Sequence, residues 1–283
     1  SVVGGDNKQR SAIMLATDNT NGNNEIGRPS GRRVMLLAGV NDAPSEPNLS
    51  ALSFAESSTK DLYDMLQTAQ CGFELYVPPL LGHNATTHAI RTTLLDAVED
   101  LGPNDLLVFY FCGHGLPVKI KADELDVYLI SYDFKERHLK RDENAHISMR
   151  WLQRHVLRSA NIGRVVLLLD CCYSGWIGEK APDPYFGELV NRLRYYLGIE
   201  SVDESASYAK ARWSLTASSP TGKAFESNGR SVFAAALLRA LNGIKVDDNG
   251  YVTINILESY IAEETAMYQT CTRFGFGPDT QAD

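Results

Sequence analysis

Two short segments of the chain place a histidine and a pair of cysteines beside glycines. His114 lies in CGHG, residues 112–115, after the apolar run 106–111, and Cys172 lies in DCCYSG, residues 170–175, after a second apolar run. A thiol beside an imidazole can exist as thiolate and imidazolium, and such pairs lower the cysteine pKa from about 8.5 to as low as about 3 to 4. Together the segments predict a cysteine nucleophile, provided that the fold brings them together.

The chemistry expected of this pair is acyl transfer. The Cys172 thiolate would attack a carbonyl carbon, and His114 would then protonate the leaving amine. We expect CGHG to form a tight turn, with the backbone N–H groups of Gly115 and Cys172 facing the same cleft as an oxyanion hole. Each residue alone has a plainer interpretation, as a turn histidine bonded to backbone or a cysteine that only packs.

The elements that must position these residues are buried strands alternating with helices. Strands are predicted at 34–38, 73–77, 106–111, 165–169 and 212–218. Five helices are predicted between and after these strands. The first has one face made of Phe54, Ser58, Leu62, Met65, Leu66 and Ala69, the second runs from the N-cap Asn84 to Gly102, and the third begins after Ser148. The fourth covers 231–241, and the fifth covers 253–269 with Leu257, Tyr260, Ile261 and Tyr268 directed inward. Strands apolar at every position are typical of parallel sheets covered on both faces. We therefore predict an α/β fold with a mainly parallel sheet, helices on both faces, and its chemistry at the carboxyl ends of the strands.

Composition limits the function. The 283 residues, 44% of them hydrophobic, suit one main domain, and the net charge of -8 argues against nucleic-acid or anionic-membrane partners. Five irregularly spaced cysteines favour a reducing compartment over a disulfide framework. Without a secretory signal or a membrane-spanning run, the chain is expected to be soluble and cytoplasmic.

At these residues the chain resembles a known family. LLVFYFCGHG and VVLLLDCCYSG resemble the histidine and cysteine motifs of the caspase-like cysteine peptidases, particularly the metacaspase and bacterial caspase-like branch. The histidine lies 172 − 114 = 58 residues upstream of the cysteine, near the roughly 50 residues of caspase-type enzymes. RRVMLLAGVND resembles the first strand of the family, LSFAESSTKDLYDML its first helix, and SLTASSPTGKAFE with SVFAAALLRAL its small subunit.

The resemblance covers about residues 33–278 and implies a caspase-like three-layer sandwich. A loosely ordered polar arm would occupy residues 1–32, and the peptidase domain residues 33–283. Within that domain we expect a large-subunit-like part at 33–175, a linker at 176–211 and a small-subunit-like part at 212–283.

The resemblance also implies roles for single residues. Cys172 matches the nucleophile and Cys171 the variable place, and strand alternation lets only one of them face His114. Asp170 matches an acidic residue that, in metacaspases, helps line the pocket for a basic substrate residue, which implies cleavage after Arg or Lys. The plainer alternative is that Asp170 only caps a strand end. Ser58, Asp42 and Ser218 complete the expected substrate-binding set.

Two positions depart from the family pattern. Ser58 stands where metacaspases usually have a second pocket aspartate, so the preference for arginine is expected to be weaker, and Glu56 is a poor substitute. HISM, residues 146–149, stands where many metacaspases have a calcium-binding aspartate pair. Asp133 and Glu179 match other acidic places only approximately, as solvated surface charges. We therefore predict no metal site, no cofactor and no calcium requirement.

Control and competing functions remain open at this stage. In this family the linker is often cut, and Lys180, Arg192, Arg194, Lys210, Arg212 and the pair Arg32–Arg33 are basic sites where the protein could process itself. The alternative is that PYFGELVNRLRYYLG, which has helical spacing, is folded and protected from cleavage. The expected partners are a protein or peptide substrate and an activating partner or domain outside this chain, in a signalling or cell-death setting. The alternatives are a caspase-like scaffold without turnover and a peptidase that cleaves after Asp or Leu. A cysteine phosphatase is excluded, because Gly178 stands where an arginine is needed.

Overall fold

A computed structural model describes most of the chain between residues 31 and 276. The described residues are 12–13, 31–68, 72–121, 124–139, 141–172, 184–197, 211–218, 226–227, 229–242, 251–267 and 270–276. The strands are β1 (Ala12–Ile13), β2 (Arg33–Gly39), β3 (Glu74–Leu75), β4 (Leu80–Leu81), β5 (Leu106–Lys121), β6 (Glu124–Leu129), β7 (Ile147–Ser148), β8 (Arg164–Cys172), β9 (Ala211–Ser218), β10 (Glu226–Ser227), β11 (Arg230–Ser231), β12 (Tyr251–Val252) and β13 (Thr270–Phe276). The helices are α1 (Ala55–Thr68), α2 (Thr87–Asp100), α3 (Glu136–Leu139), α4 (Met149–Leu152), α5 (Pro184–Leu197), α6 (Val232–Leu241) and α7 (Ile254–Thr265), with a 3₁₀ turn at Gly82–Asn84 and a π-helix at Gln153–Leu157.

Within the described residues, the main sheet has nine strands. Its central order is β13-β9-β8-β5-β2-β3, with β4 also pairing with β2, and with β6 and β7 extending from the far part of β5. All neighbours from β9 to β3 run parallel, whereas β13 runs antiparallel to β9 at the edge. The mainly parallel sheet predicted from the apolar runs is confirmed.

Strand alternation divides the core into two layers. In β5, Leu107, Phe109 and Phe111 face the core formed with α2, α4 and α5. The intervening Leu106, Val108 and Tyr110 face the core formed with α1, α6 and α7. Burial of each large apolar side chain contributes roughly 1.5–3 kcal/mol, so both helical layers are held to the sheet by the hydrophobic effect. The predicted α/β architecture, with helices on both faces, is therefore confirmed.

Two local predictions are wrong. Helix α2 begins after Thr86, whose hydroxyl accepts from Ala89 N–H at 3.1 Å, and not after Asn84, which ends the 3₁₀ turn. CGHG is not a tight turn, because β5 continues through it and then pairs antiparallel with β6 from Gly115 onward. Gly113 is needed here because a Cβ would lie 2.9 Å from the Phe111 ring and 3.3 Å from the Val40 carbonyl oxygen.

Other elements differ in extent from the prediction. The strand predicted at 73–77 is reduced to Glu74–Leu75, while β6 and β13 had no predicted counterpart. Of the polar arm, the structure describes β1, which pairs parallel with β12, and residues 31–32. The predicted helix-face residues Ala69 and Tyr268 lie outside the described residues. None of the helices in the described ranges has the length and apolar character needed to cross a membrane.

Candidate active site

The parallel pairing of β5 with β8 brings the two motifs together. The register runs from Leu106 opposite Arg164 to His114 opposite Cys172, the last residue of β8. Neighbouring strands lie about 4.8 Å apart, and residues opposite each other share a face of the sheet. Of Cys172 the structure describes the backbone, which places this residue on the face of Asp170 and Tyr110. Cys171, 1% exposed, faces the opposite core beside α2 and α4.

The His114 ring is held by a main-chain carbonyl. Its Nε2 lies 2.8 Å from the Ser50 carbonyl oxygen, and because a carbonyl only accepts, Nε2 carries the proton and donates. In the neutral ring this leaves Nδ1 as the proton acceptor. Burial lowers the pKa of His114, whereas the bond to Ser50 and the charge of Asp42 act in the opposite direction. The net lowering of the pKa favours a neutral imidazole that can take a proton.

Ser50 lies in the segment after β2, residues 40–52, which we call the histidine loop. The loop is closed by Leu52 N–H donating to the Asn41 carbonyl at 2.8 Å. Asn41 and Glu56 exchange two bonds: Asn41 N–H to Glu56 Oε1 at 3.3 Å and Glu56 N–H to Asn41 Oδ1 at 3.1 Å. The Glu56 carboxylate is thus occupied at the start of α1.

Asp170 is buried, 6% exposed, and joins the end of β8 to the start of α6. Its Oδ2 accepts from the Tyr110 hydroxyl at 3.0 Å and the Cys112 thiol at 3.4 Å. The carboxylate also accepts from the Ser231 hydroxyl and from Ala234 N–H. Burial raises the pKa of Asp170 to about 6, although these hydrogen bonds act to lower it.

Ser58 and Asp170 share a partner, Ser231. The Ser58 hydroxyl, fully buried, accepts from Ser231 N–H at 3.1 Å, and the Ser231 hydroxyl is the N-cap of α6. The structure therefore brings Ser58 and Asp170 to one place, beside α6.

The other predicted substrate-binding and oxyanion residues lie along the same end of the sheet. Asp42 is exposed in the histidine loop, close enough for its charge to act on His114. Ser218 is the last residue of β9 and pairs with Thr270 of β13. Gly115 lies within β5 opposite Leu129, so the expected loop turn is wrong and its N–H belongs to an extended strand.

Sequence reasoning missed two residues of this site. Ser231 directly precedes an apolar helical run, which is a recognisable N-cap signal. Ser50 acts through its main-chain carbonyl, which any residue would provide, so its side chain carries no signal.

The segments compared with calcium sites have other roles. His146 is 3% exposed, and its Nδ1 lies 3.0 Å from the Thr87 hydroxyl. Asp133 is not merely a solvated charge, because its Oδ1 accepts from Thr87 N–H at 2.7 Å and from the Ser131 hydroxyl at 2.9 Å. Glu179 lies outside the described residues. Within the described ranges, no group of three His, Cys, Asp or Glu side chains could hold a metal ion.

Several basic residues predicted as self-processing sites are built into the fold. Arg212 is fully buried and donates to five main-chain carbonyls, those of Leu157, Ser159, Ile162, Gly163 and Ala211. Arg192 and Arg194 lie within α5, and Arg33 begins β2. Proteases need extended, accessible backbone, so cleavage at Arg212 requires local unfolding. Lys180 and Lys210 lie outside the described residues.

Comparison with known proteins agrees with this geometry. The chain superposes on the crystal structure of protein GSU0716 from Geobacter sulfurreducens with a TM-score of 0.58 and 17% identity, covering 87% of this chain and 94% of that one. A structure of pro-sf-caspase-1 aligns with a TM-score of 0.47 and 13% identity over 91% of this chain and 95% of that one. The superposition on GSU0716 thus shows that the two chains share an α/β fold.

The family comparison is more specific than the fold. Residues 72–180, which contain both motifs, match the model of the metacaspase, peptidase C14 domain. No curated protein matches the chain significantly. The predicted resemblance to the metacaspase branch of the caspase-like cysteine peptidases is therefore confirmed.

Proposed function

We propose that the protein is a cysteine endopeptidase in which Cys172 and His114 form the catalytic dyad. The observation that carries the proposal is the register of β5 and β8, which sets the backbones of His114 and Cys172 opposite each other on one face. The match to a peptidase C14 model supports a cysteine peptidase at the coarser level.

The bond to Ser50 supports the division of labour within the dyad. With Nε2 donating to that carbonyl, Nδ1 is the nitrogen left to accept the Cys172 thiol proton. The resulting thiolate attacks the carbonyl carbon of the scissile bond, and the carbonyl oxygen takes the negative charge. Backbone N–H groups at Cys172 and Gly115 are our candidates for stabilising that oxyanion.

Collapse of the tetrahedral intermediate completes the first half of the reaction. The C–N bond breaks, the imidazolium of His114 gives its proton to the leaving amine, and an acyl group remains on the Cys172 sulfur as a thioester. A water molecule, deprotonated by His114, then attacks the thioester and restores the thiol. This sequence consumes one water and needs no cofactor.

The proposed substrate residue before the scissile bond is Arg or Lys. The support is Asp170, a buried carboxylate two residues before Cys172 on the same face, whose protein donors are all uncharged. A guanidinium would add a charge-assisted hydrogen bond that these donors do not provide. Ser58 contributes a hydroxyl where a second carboxylate would strengthen that preference.

We further propose that activity depends on a partner or on dimerisation more than on cleavage at the linker arginines. The support is the burial of Arg212 and the helical backbone at Arg192 and Arg194, which protect these bonds in the folded chain. A signalling or cell-death setting remains part of this proposal.

The test is hydrolysis of fluorogenic peptides that differ only in the residue before the scissile bond: Arg, Lys, Asp or Leu. Each is assayed with and without calcium, with Cys172→Ala as the inactive variant and Cys171→Ala as its matched control. We expect cleavage after Arg or Lys that is lost in Cys172→Ala and retained in Cys171→Ala.

The other outcomes separate the alternatives. Cleavage after Asp or Leu would keep the dyad and contradict the assigned pocket. Activity that survives in Cys172→Ala would contradict the dyad itself. Absence of cleavage in every condition, including forced dimerisation, would favour a caspase-like scaffold without turnover.

A further inference from the structure

A second group of functional side chains lies outside the dyad, on the layer formed by β5, β6 and α3. Arg137, His138 and Arg141 line a cleft of about 280 Å³ that is open to solvent. Both arginines are exposed and His138 is half-buried, with its ring stacked on His146 at a centroid distance of 5.8 Å. Two guanidinium groups and an imidazole therefore converge on one concave surface.

Three carboxylates of the surrounding segments accept hydrogen bonds from other groups. Asp133 accepts from Thr87 and Ser131, Asp142 Oδ1 accepts from Asn144 N–H at 2.8 Å, and Glu46 Oε1 accepts from Glu136 N–H at 2.7 Å. Among the residues that the structure describes, neither Arg137 nor Arg141 forms an ion pair. The chain as a whole is acidic, with a net charge of -8, so this cluster of positive charge is a local feature and not the result of a basic composition.

We propose that this cleft binds an oxyanion of the phosphate class. Guanidinium groups present planar pairs of N–H donors that match phosphate oxygens, and two of them on one cleft can hold two oxygens at once. His138 provides a third N–H donor at the half-buried side of the cleft. The ligand can be a free phosphate or diphosphate, or the diphosphate of a nucleotide, because the side chains here address only the anionic group.

The position of the cleft makes it an effector site for the dyad, a step that rests on the proposed function. Helix α3 contacts the histidine loop twice, through the Glu46–Glu136 bond and through Leu139, which packs with Leu49 on the cluster around Ala43. Ser50, which holds the His114 ring, directly follows Leu49. An anion bound to Arg137 and Arg141 adds contacts to the helix that supports this loop.

The binding test is titration calorimetry with inorganic pyrophosphate, at ionic strength held constant with sodium chloride. The variant Arg137→Gln/Arg141→Gln removes two exposed arginines from the cleft, and Arg154→Gln/Arg158→Gln removes two exposed arginines from another surface. We expect saturable binding to the wild type and the control, weakened about tenfold or more in the cleft variant, because hydrogen bonds to charged groups contribute factors of this order. Adenosine diphosphate in a parallel titration distinguishes a free diphosphate from a nucleotide.

Equal affinity of all three proteins, or heat that shows no saturation, would overturn the proposal. The effector step has its own readout, the kcat/KM of peptide hydrolysis, which we expect pyrophosphate to raise about fivefold in the wild type and the control but not in the cleft variant. Saturable binding without any such change would overturn the effector step. Binding in a protein that cleaves no peptide would leave the site standing while the proposed function fails, and cleavage without binding would show the reverse.

Discussion

Two buried aspartates, one in β6 and one in β8, differ in what surrounds them. Asp126 is 1% exposed and Asp170 6% exposed, and burial raises the pKa of each to about 6. Asp126 has a permanent cation nearby, with Arg150 Nε at 3.8 Å from its Oδ2. Arg150 in turn lies 3.4 Å from Glu143 Oε1 and donates to the Tyr196 hydroxyl at 3.0 Å.

Asp170 is bonded instead to a phenol, a thiol, a serine hydroxyl and a backbone N–H. Such donors reduce the cost of burying the carboxylate without neutralising its charge. The difference indicates two roles. Asp126 belongs to an internal network that joins β6, α4 and the linker helix α5. Asp170, in contrast, keeps a negative charge with which a basic ligand could form an ion pair at the dyad end of the sheet.

The largest effect is expected from a substitution that removes the charge of Asp170. In Asp170→Asn, kcat/KM for peptides with Arg before the scissile bond should fall about a hundredfold to a thousandfold, or about 3 to 4 kcal/mol, because an Asn provides no charge for the guanidinium. Asp126→Asn is the matched control and should leave kcat/KM within a factor of about two, since that residue lies in β6 opposite Val118, beyond His114 along β5.

Measuring the free energy of unfolding of both variants separates this effect from misfolding. If Asp170→Asn unfolds like the wild type yet cleaves Arg peptides equally well, Asp170 only caps α6. Equal losses of activity in both variants would mean that the two aspartates do not differ in the way described here.

A second substitution removes the cation beside Asp126. Arg150→Gln leaves Asp126 without its cation, and we expect the free energy of unfolding at pH 7.5 to fall by about 3 kcal/mol, because an uncompensated buried charge is costly. The pKa of Asp126 is already raised in the folded protein, so its ionised form is disfavoured and its cost appears as pH rises through about 4 to 6. The loss should therefore shrink at pH 5, where Asp126 begins to take up a proton.

Urea denaturation at both pH values measures this difference, with the exposed Arg154→Gln as control. The double variant Asp126→Asn/Arg150→Gln should recover part of the stability, since it removes the unpaired charge as well. A loss in Arg150→Gln that is the same at both pH values and in the Asp126→Asn background would show that Arg150 acts through packing on Tyr196 and not through the ion pair.

The sequence predicts the sheet much better than these charge environments. Apolar runs such as 106–111 and 165–169 are local signals that predict buried parallel strands, but they do not predict the order of the strands in the sheet. Strand alternation lets only one of Cys171 and Cys172 face His114, and the family motif selects Cys172; the structure places Cys171, 1% exposed, in the other core.

What escaped prediction depends on contacts between distant residues. Ser50 holds His114 through a carbonyl 64 positions away in sequence, and Ser231 meets Ser58 across 173 positions. The turn expected at CGHG failed for a similar reason, because pairing with β6 extends β5 beyond its apolar run and overrides the local preference of the two glycines. Arg212, a predicted processing site at the start of a predicted strand, is buried because five separate carbonyls converge on it.

The smallest expected effect is a pH dependence of substrate preference, which can be measured in the wild-type protein. If substrate binding needs Asp170 ionised, the ratio of kcat/KM for an Arg peptide to that for its neutral isostere citrulline should rise with pH through the raised pKa of about 6. About a tenth of a group is ionised one unit below its pKa, so the ratio should increase about tenfold between pH 5 and pH 7.5. Titration of His114 and Cys172 affects both peptides equally and cancels in the ratio.

In Asp170→Asn the ratio should be flat, and in Asp126→Asn it should keep its rise. A ratio that is already independent of pH in the wild type would mean that the Asp170 carboxylate does not interact with the substrate guanidinium. Asp170 would then have only a structural role, satisfied by its uncharged donors as Asp126 is by Arg150.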